Sequence, residues 1–139
     1  MYKVIIIEDD PMVASINKQY VELTSSFHVE ATFKNGILAL QYLQNCTVDL
    51  IILDYYTPQM NGDEFIDQLH AAGMTPAIIM VTSANDAETV RRLISRGVTD
   101  YLVKPFEYDR FKAALERFAK RQEELKTSAS ASDLGQAEI

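Results

Sequence analysis

Two stretches of the chain put carboxylates where they can do more than solvate a surface. At residues 4–11, VIIIEDDP, four apolar residues run directly into Glu8, Asp9 and Asp10. At residues 51–54, IILD, a second apolar run ends in Asp54. Carboxylates brought together repel one another unless a proton or a cation neutralises them. Hard oxygen donors with positions left open for water suit Mg2+. A carboxylate can also attack phosphorus, and phosphoryl transfer asks mainly for positioning and charge neutralisation. Two further runs end in groups able to hold phosphoryl oxygens: AIIMV precedes Thr82 and Ser83, and YLV precedes Lys104 and Pro105. The candidates are therefore Asp54 as nucleophile, Glu8 and Asp9 beside it as metal ligands, and Thr82 and Lys104 as holders of the transferred group. Taken singly, each has a plain reading: Thr82 as a helix cap, Lys104 as a surface charge, the acids as solvated loop residues.

These groups meet only if the runs that carry them lie side by side. Apolar runs at 3–7, 28–33, 48–53, 77–81 and 99–103 read as strands. The most continuous of them have the composition of strands buried on both faces. Between and after them, helix-period stretches occupy 11–23, 36–44, 62–72, 86–96 and 107–126. Asp10 suits an N-cap with Pro11 at the first helical position, and Gly73 and Gly97 stand where helices should stop. This alternation predicts an α/β fold, a doubly wound (βα)5 parallel sheet. Ligands of such sheets bind at the carboxyl ends of the strands, at the topological switch point. Strand order 2-1-3-4-5 would set the first and third strands together there, with Glu8, Asp9 and Asp54 at one edge.

Composition narrows the remaining classes. The 139 residues suffice for one domain with a core. A net charge of -7 disfavours nucleic-acid binding by this domain itself. The single cysteine, Cys46, allows no internal disulfide and reads as a small buried thiol. The opening MYKVIII lacks signal-peptide form, and no apolar run nears the roughly 18–20 residues a membrane span needs, so a cytoplasmic protein without membrane association is expected. His28 and His70 stand apart, outside any metal-ligand cluster, and Arg91, Arg92 and Arg96 read as a solvated helix face. The tail, KTSASASDLGQAEI, is Ser/Ala-rich and linker-like. Within it, Asp133 and Gln136 have the spacing of a capping box. The expected organisation is a domain at 1–123, then a segment at 124–139 that is either a frayed tail or a linker opening into a further C-terminal domain.

In order and spacing, IIIEDDP, LDYYTPQMNG, MVTSAND and GVTDYLVKPF resemble the motifs of receiver domains of two-component response regulators, over residues 1–123. The resemblance implies a flavodoxin-like fold and phosphorylation of Asp54 by a sensor histidine kinase. It implies Mg2+ bound directly by Asp9, through water by Glu8, by Asp54, and by the backbone carbonyl of Tyr56. Thr82 and Tyr101 take the switch positions, Lys104 the lysine position, and Lys104-Pro105 is expected to be cis. Tyr56 and Ala84 fall at the positions that tune dephosphorylation; neither offers a group to orient water, so a long-lived phosphorylated form is expected. The protein would catalyse only its own phosphorylation and dephosphorylation and would not be an enzyme in the wider sense. Phosphorylation would favour a homodimer through the fourth helix, fifth strand and fifth helix, where Arg91, Arg92, Arg96, Asp100, Glu107, Lys112, Glu116 and Lys120 supply charge. More narrowly, the chain is similar to regulators of citrate and C4-dicarboxylate responses, in which DNA is bound only through the C-terminal output domain. Thr57 departs from the family's usual apolar residue and reads as a tolerated surface loop change.

Three other readings fit less well. A haloacid-dehalogenase-type phosphohydrolase needs a second carboxylate two residues after the nucleophile, and Tyr56 stands there. A flavin- or nucleotide-binding module of the same topology needs a Gly-rich or Ser/Thr-rich loop after the first strand, where this chain has acids. A degenerate receiver serving only as an interaction module should lack some of Glu8, Asp9, Asp54, Thr82 and Lys104, and all five are present.

Overall fold

The computed structural model describes residues 1–83 and 87–137, with side chains described as far as Ser128. Five strands alternate with five helices: β1 (Tyr2–Ile7), α1 (Pro11–Leu23), β2 (Phe27–Phe33), α2 (Gly36–Leu43), β3 (Leu50–Asp54), α3 (Gly62–Ala71), β4 (Ala77–Thr82), α4 (Ala87–Ser95), β5 (Asp100–Val103) and α5 (Tyr108–Ala137). The strands are parallel, in the order β2-β1-β3-β4-β5. The doubly wound sheet expected from the sequence is therefore present, with β1 and β3 adjacent at the switch point.

Strand alternation divides the core in two. Val4, Ile6, Leu50, Ile52, Ile79, Val81 and Leu102 face α1 and α5, where Val21, Phe111, Leu115 and Phe118 cover them. Ile5, Ile7, Ile51, Leu53, Ile78 and Met80 face α2, α3 and α4, where Ala39, Leu43, Phe65, Ile66, Leu69 and Leu93 close the other side. Full burial of a side chain such as Phe65 or Phe118 contributes about 1.5–3 kcal/mol. Buried on both faces, residues 4–7 of β1 and 50–53 of β3 are apolar without a break, which is why they show no alternation.

Register sets the strand ends. Ile7 pairs with Leu53, Asp54 with Val81, and Thr82 with Val103. Glu8, Asp54, Thr82 and Lys104 thus emerge within about one residue of a common level. The Glu8 N–H donates to the Phe33 carbonyl (2.9 Å) and the Lys104 N–H to the Thr82 carbonyl (2.8 Å), so both residues are fixed to a neighbouring strand.

Local signals account for most helix starts. Asp10 caps α1, accepting from the N–H groups of Met12 (2.9 Å) and Val13 (3.4 Å), with Pro11 at the first position. Asn61 and Glu64 form a reciprocal capping box at α3. Gly73 and Gly97 adopt positive φ just after α3 and α4, the left-handed geometry that glycine takes without strain. The expected start of the fourth helix at Asp86 lies outside the described residues.

Three expectations need correction. Cys46 is exposed: it follows the end of α2 in a loop and never enters a strand. Thr57 is buried, and its hydroxyl donates to the Met60 carbonyl (2.7 Å), closing the loop after β3. The tail that reads as linker continues α5 as helix to Ala137, so Asp133 lies within a helix rather than at its start. Alanine is the best helix former, and no glycine or proline interrupts α5 before Gly135. The described side chains beyond Phe118 are mostly exposed.

Candidate functional site

The carboxyl ends of β1, β3, β4 and β5 bring together the groups named from sequence. Oxygens of Glu8, Asp9 and Asp54 lie within 4.8 Å of one another. Asp54 ends β3 and is buried, as is Glu8, while Asp9 is exposed beside them. Lys104 reaches both buried acids: Nζ is 3.0 Å from Glu8 Oε1 and 3.5 Å from Asp54 Oδ2. The other Glu8 oxygen, Oε2, accepts from the Asp10 N–H (3.2 Å). Asp54 Oδ1 accepts from the Tyr56 N–H (3.3 Å), which turns the loop back over the strand end. Thr82 is fully buried at the end of β4, next to the Asp54–Val81 rung.

Among the described residues, one ammonium contacts this group of three carboxylates, which leaves it short of positive charge. Burial pushes the Glu8 carboxyl up to about 7, and the neighbouring Asp54 adds to that rise against the opposing pull of the Asp10 N–H and Lys104. Burial alone would lower the Lys104 pKa, but hydrogen bonding to Glu8 and the Asp54 charge outweigh it and hold the ammonium protonated. Carboxylates converging at a half-open edge, with too little cationic charge among them, fit a hard divalent ion. Asp9, the exposed member, has the freest oxygens. Both Glu8 oxygens already have partners, which suits a ligand acting at one remove.

Other predicted residues take varied places. Tyr56 is 56% exposed, its ring edge-on to Tyr55 at 4.8 Å between centroids. Tyr101 is half-buried on β5 and lines a shallow groove with Ala87, Val90, Arg91 and Val103. Ala84 lies outside the described residues. The Lys104-Pro105 bond is cis, as expected. His28 sits by Glu22, Nδ1 to Oε1 3.2 Å, and enters no metal cluster among the described residues.

The charged face expected of α4, β5 and α5 is partly spent within the chain. Arg92 and Arg96 turn to α3, where Arg92 pairs with Asp63 (2.9 Å) and Arg96 with Asp63 (3.2 Å) and Asp67. Arg91 and Arg92 are nonetheless exposed as expected, and only Arg96 is partly covered. Asp100 is buried and takes Arg110 (3.1 Å) and Arg117 (3.4 Å) from α5. Arg91, Glu107, Lys112, Glu116 and Lys120 remain exposed. Sequence reasoning missed Asp63 and Tyr55 altogether. The Tyr55 hydroxyl donates to Asp63 Oδ2 (2.5 Å) and accepts from Arg92 (3.1 Å). Strand parity carried the signal: Tyr55 continues the series Ile51, Leu53, so its side chain must face α3 and α4 rather than the pocket.

Comparison with known proteins agrees with this geometry. Residues 4–116 match the family model described as "Response regulator receiver domain". The chain is 40% identical over 117 residues to the "Probable C4-dicarboxylate response regulator DctR" of Priestia megaterium, covering 84% of this chain and 51% of that protein. It is 35% identical over 127 residues to the transcriptional regulatory protein MalR of Bacillus subtilis, covering 91% of this chain and 54% of that one. The chain thus spans about half the length of the curated relatives it matches. Among solved structures, a signal receiver domain from Vibrio parahaemolyticus superposes with a TM-score of 0.82 at 27% identity, covering 91% of this chain and 96% of that one.

Proposed function

Since the chain belongs to the response regulator receiver domain family, we propose that it receives a phosphoryl group on Asp54 from a sensor histidine kinase. The observation that carries this reading is the convergence of Glu8, Asp9, Asp54 and Lys104 at adjacent strand ends, with Thr82 closing β4 beside them. An Asp54 carboxylate oxygen attacks phosphorus, a P–O bond forms, and the P–N bond of the donor phosphohistidine breaks. The leaving imidazole takes up a proton. Lys104 and Thr82 hold the phosphoryl oxygens. Asp9, Asp54 and the Tyr56 carbonyl would hold Mg2+ directly, and Glu8 through water. The ion supplies the positive charge that this acidic pocket lacks.

The rest of the proposal follows from the same reading. The protein acts on itself, through its own phosphorylation and dephosphorylation, and is otherwise a switch rather than an enzyme. Phosphorylation draws Thr82 toward the phosphoryl oxygens and Tyr101 inward, altering the α4-β5-α5 face. The exposed Arg91, Glu107, Lys112, Glu116 and Lys120 then meet a second copy in a symmetric dimer. Tyr56, and Ala84 beyond Thr82, leave the attacking water unoriented and make the phosphorylated form long-lived. Residues 1–123 form the receiver, and 124–139 lead toward a C-terminal output domain that binds DNA in the cytoplasm and answers C4-dicarboxylates or citrate. The names of the curated relatives support that part of the reading.

Intact-mass measurement after incubation with acetyl phosphate and Mg2+ tests the core of the proposal. One phosphoryl group should be gained by the wild type and lost in Asp54→Ala. A wild type that gains nothing from any donor would refute it and favour a purely protein-binding module.

A further inference from the structure

Helix α4 has a thin apolar footing: Leu93 is its one fully buried side chain among the described residues. Its other anchors are polar. Arg92 and Arg96 both grip Asp63 on α3, and Arg96 also reaches Asp67. At the centre of this set stands Tyr55, one residue beyond Asp54. Its hydroxyl donates to Asp63 Oδ2 and accepts from Arg92 Nη2.

Every part of Tyr55 is fixed. Its N–H donates to the Val81 carbonyl (2.9 Å) and its carbonyl accepts from the Gly62 N–H (2.9 Å). Its ring lies so close to Gly62 that a Cβ there would fall 2.8 Å from Cδ2. Burial raises the Tyr55 hydroxyl above its ordinary pKa, and the bond to Asp63 adds to the rise. Burial would also raise the Asp63 carboxyl, yet the Tyr55 hydroxyl and the two guanidiniums hold it below its ordinary value. The network therefore stays a neutral phenol on a carboxylate between two cations through the physiological range. Tyr55 is flanked by the two residues whose placement the chemistry needs: Asp54 for its carboxylate, and Tyr56 for its backbone.

We propose that Tyr55 is a positioning residue for the Asp54–Tyr56 segment, held from behind by Asp63 and Arg92, so that the seating of α4 and the geometry of the Asp54 site are one coupled unit. This inference rests on Asp54 being the phosphoacceptor.

The test measures phosphorylation rate constants by intact mass, with phosphoramidate as donor and saturating Mg2+. It compares wild type, Tyr55→Phe, Arg92→Gln and the double variant, with Mg2+ dissociation constants measured by calorimetry. Tyr55→Phe keeps the ring and its packing, and Arg92→Gln alters a partly exposed side chain that makes no bond to Asp54. Each single variant should be phosphorylated about five- to ten-fold more slowly at saturating Mg2+, because misplacement of a reacting group costs rate directly. The double variant should be no slower than the slower single one. Unchanged or faster rates in both single variants, or losses that multiply in the double, would overturn the coupled unit. A wild type that is not phosphorylated at all would instead overturn the phosphoacceptor reading beneath it.

Discussion

Replacing Glu8 with glutamine should reshape the pH dependence of stability in a way that can be worked from the site. The Glu8 side chain is only 2% exposed and lies beside Asp54, so solvent gives little relief from its charge. Its carboxyl has a pKa near 7 in the folded protein against 4.5 ordinarily. A raised folded value means that the native state holds the proton more tightly than the unfolded chain does. That preference contributes stability present in full below the unfolded pKa and lost as pH rises through the folded one. Between about pH 5.5 and about pH 8.5 the metal-free wild type should therefore lose about 2 kcal/mol that Glu8→Gln does not lose. The assay is urea unfolding of both proteins in EDTA at the two pH values. The other titrating groups are shared, so the difference between the proteins reports Glu8 together with the neighbours it is coupled to, Asp54 and Lys104. Added Mg2+ should restore stability to the wild type more at the higher pH, where the carboxylate it neutralises is ionised. Parallel pH profiles for the two proteins, or a wild type that gains on Glu8→Gln as pH rises, would show that Glu8 is not the strained member of the pocket.

Four further outcomes are expected. Asp9→Ala should weaken Mg2+ binding by about ten-fold or more and depress phosphorylation with it, as calorimetry and intact mass would show; an undiminished affinity removes Asp9 from the ligand set. Tyr56→Asn should hasten decay of the phosphorylated protein by about ten-fold once donor is removed, since an amide can orient water where the exposed ring cannot; an unchanged lifetime refutes this. Gly62→Ala should cost about 1–3 kcal/mol in urea unfolding, because its Cβ would meet the Tyr55 ring at 2.8 Å and Met80 at 2.9 Å; an unshifted midpoint would show that both side chains yield freely. Sedimentation with beryllofluoride and Mg2+ should show a dimer that Lys112→Glu and Lys120→Glu together weaken, whereas a monomer throughout counts against the α4-β5-α5 face.

Much of this was legible in the residues themselves. Strand ends were marked by an abrupt change from apolar to charged or hydroxyl side chains at Glu8, Asp54, Thr82 and Lys104, and parallel register did the rest. Asp10 could be separated from the pocket beforehand because a carboxylate before proline is a helix cap on local grounds alone. What escaped was whatever depended on direction across the fold. Nothing local says that Arg92 and Arg96 turn to α3 rather than to water, because their partners Asp63 and Asp67 come from another helix. Asp100 is similar: its burial follows from Arg110 and Arg117 arriving from α5. The Ser/Ala tail misled for a different reason. Composition favours a flexible reading, whereas a helix already nucleated by packing can extend through alanines at little cost.

The division of the core by the sheet also bears on how such a chain can change over time. Each buried apolar strand residue belongs to one of two packing sets, one on either face of the sheet. Substitutions beneath α1 and α5 can accumulate, and be compensated, without disturbing those beneath α2, α3 and α4. The α1–α5 side carries two aromatic groups, Tyr2 with Phe27 and Phe118, and Phe111 with Tyr20 and Phe106, while α4 stands on the opposite side with a single buried apolar anchor. Selection for a new partner on one side therefore meets a scaffold whose other side is insulated from the experiment. Only residues at the strand ends answer to both sides at once, and they are the ones least free to drift.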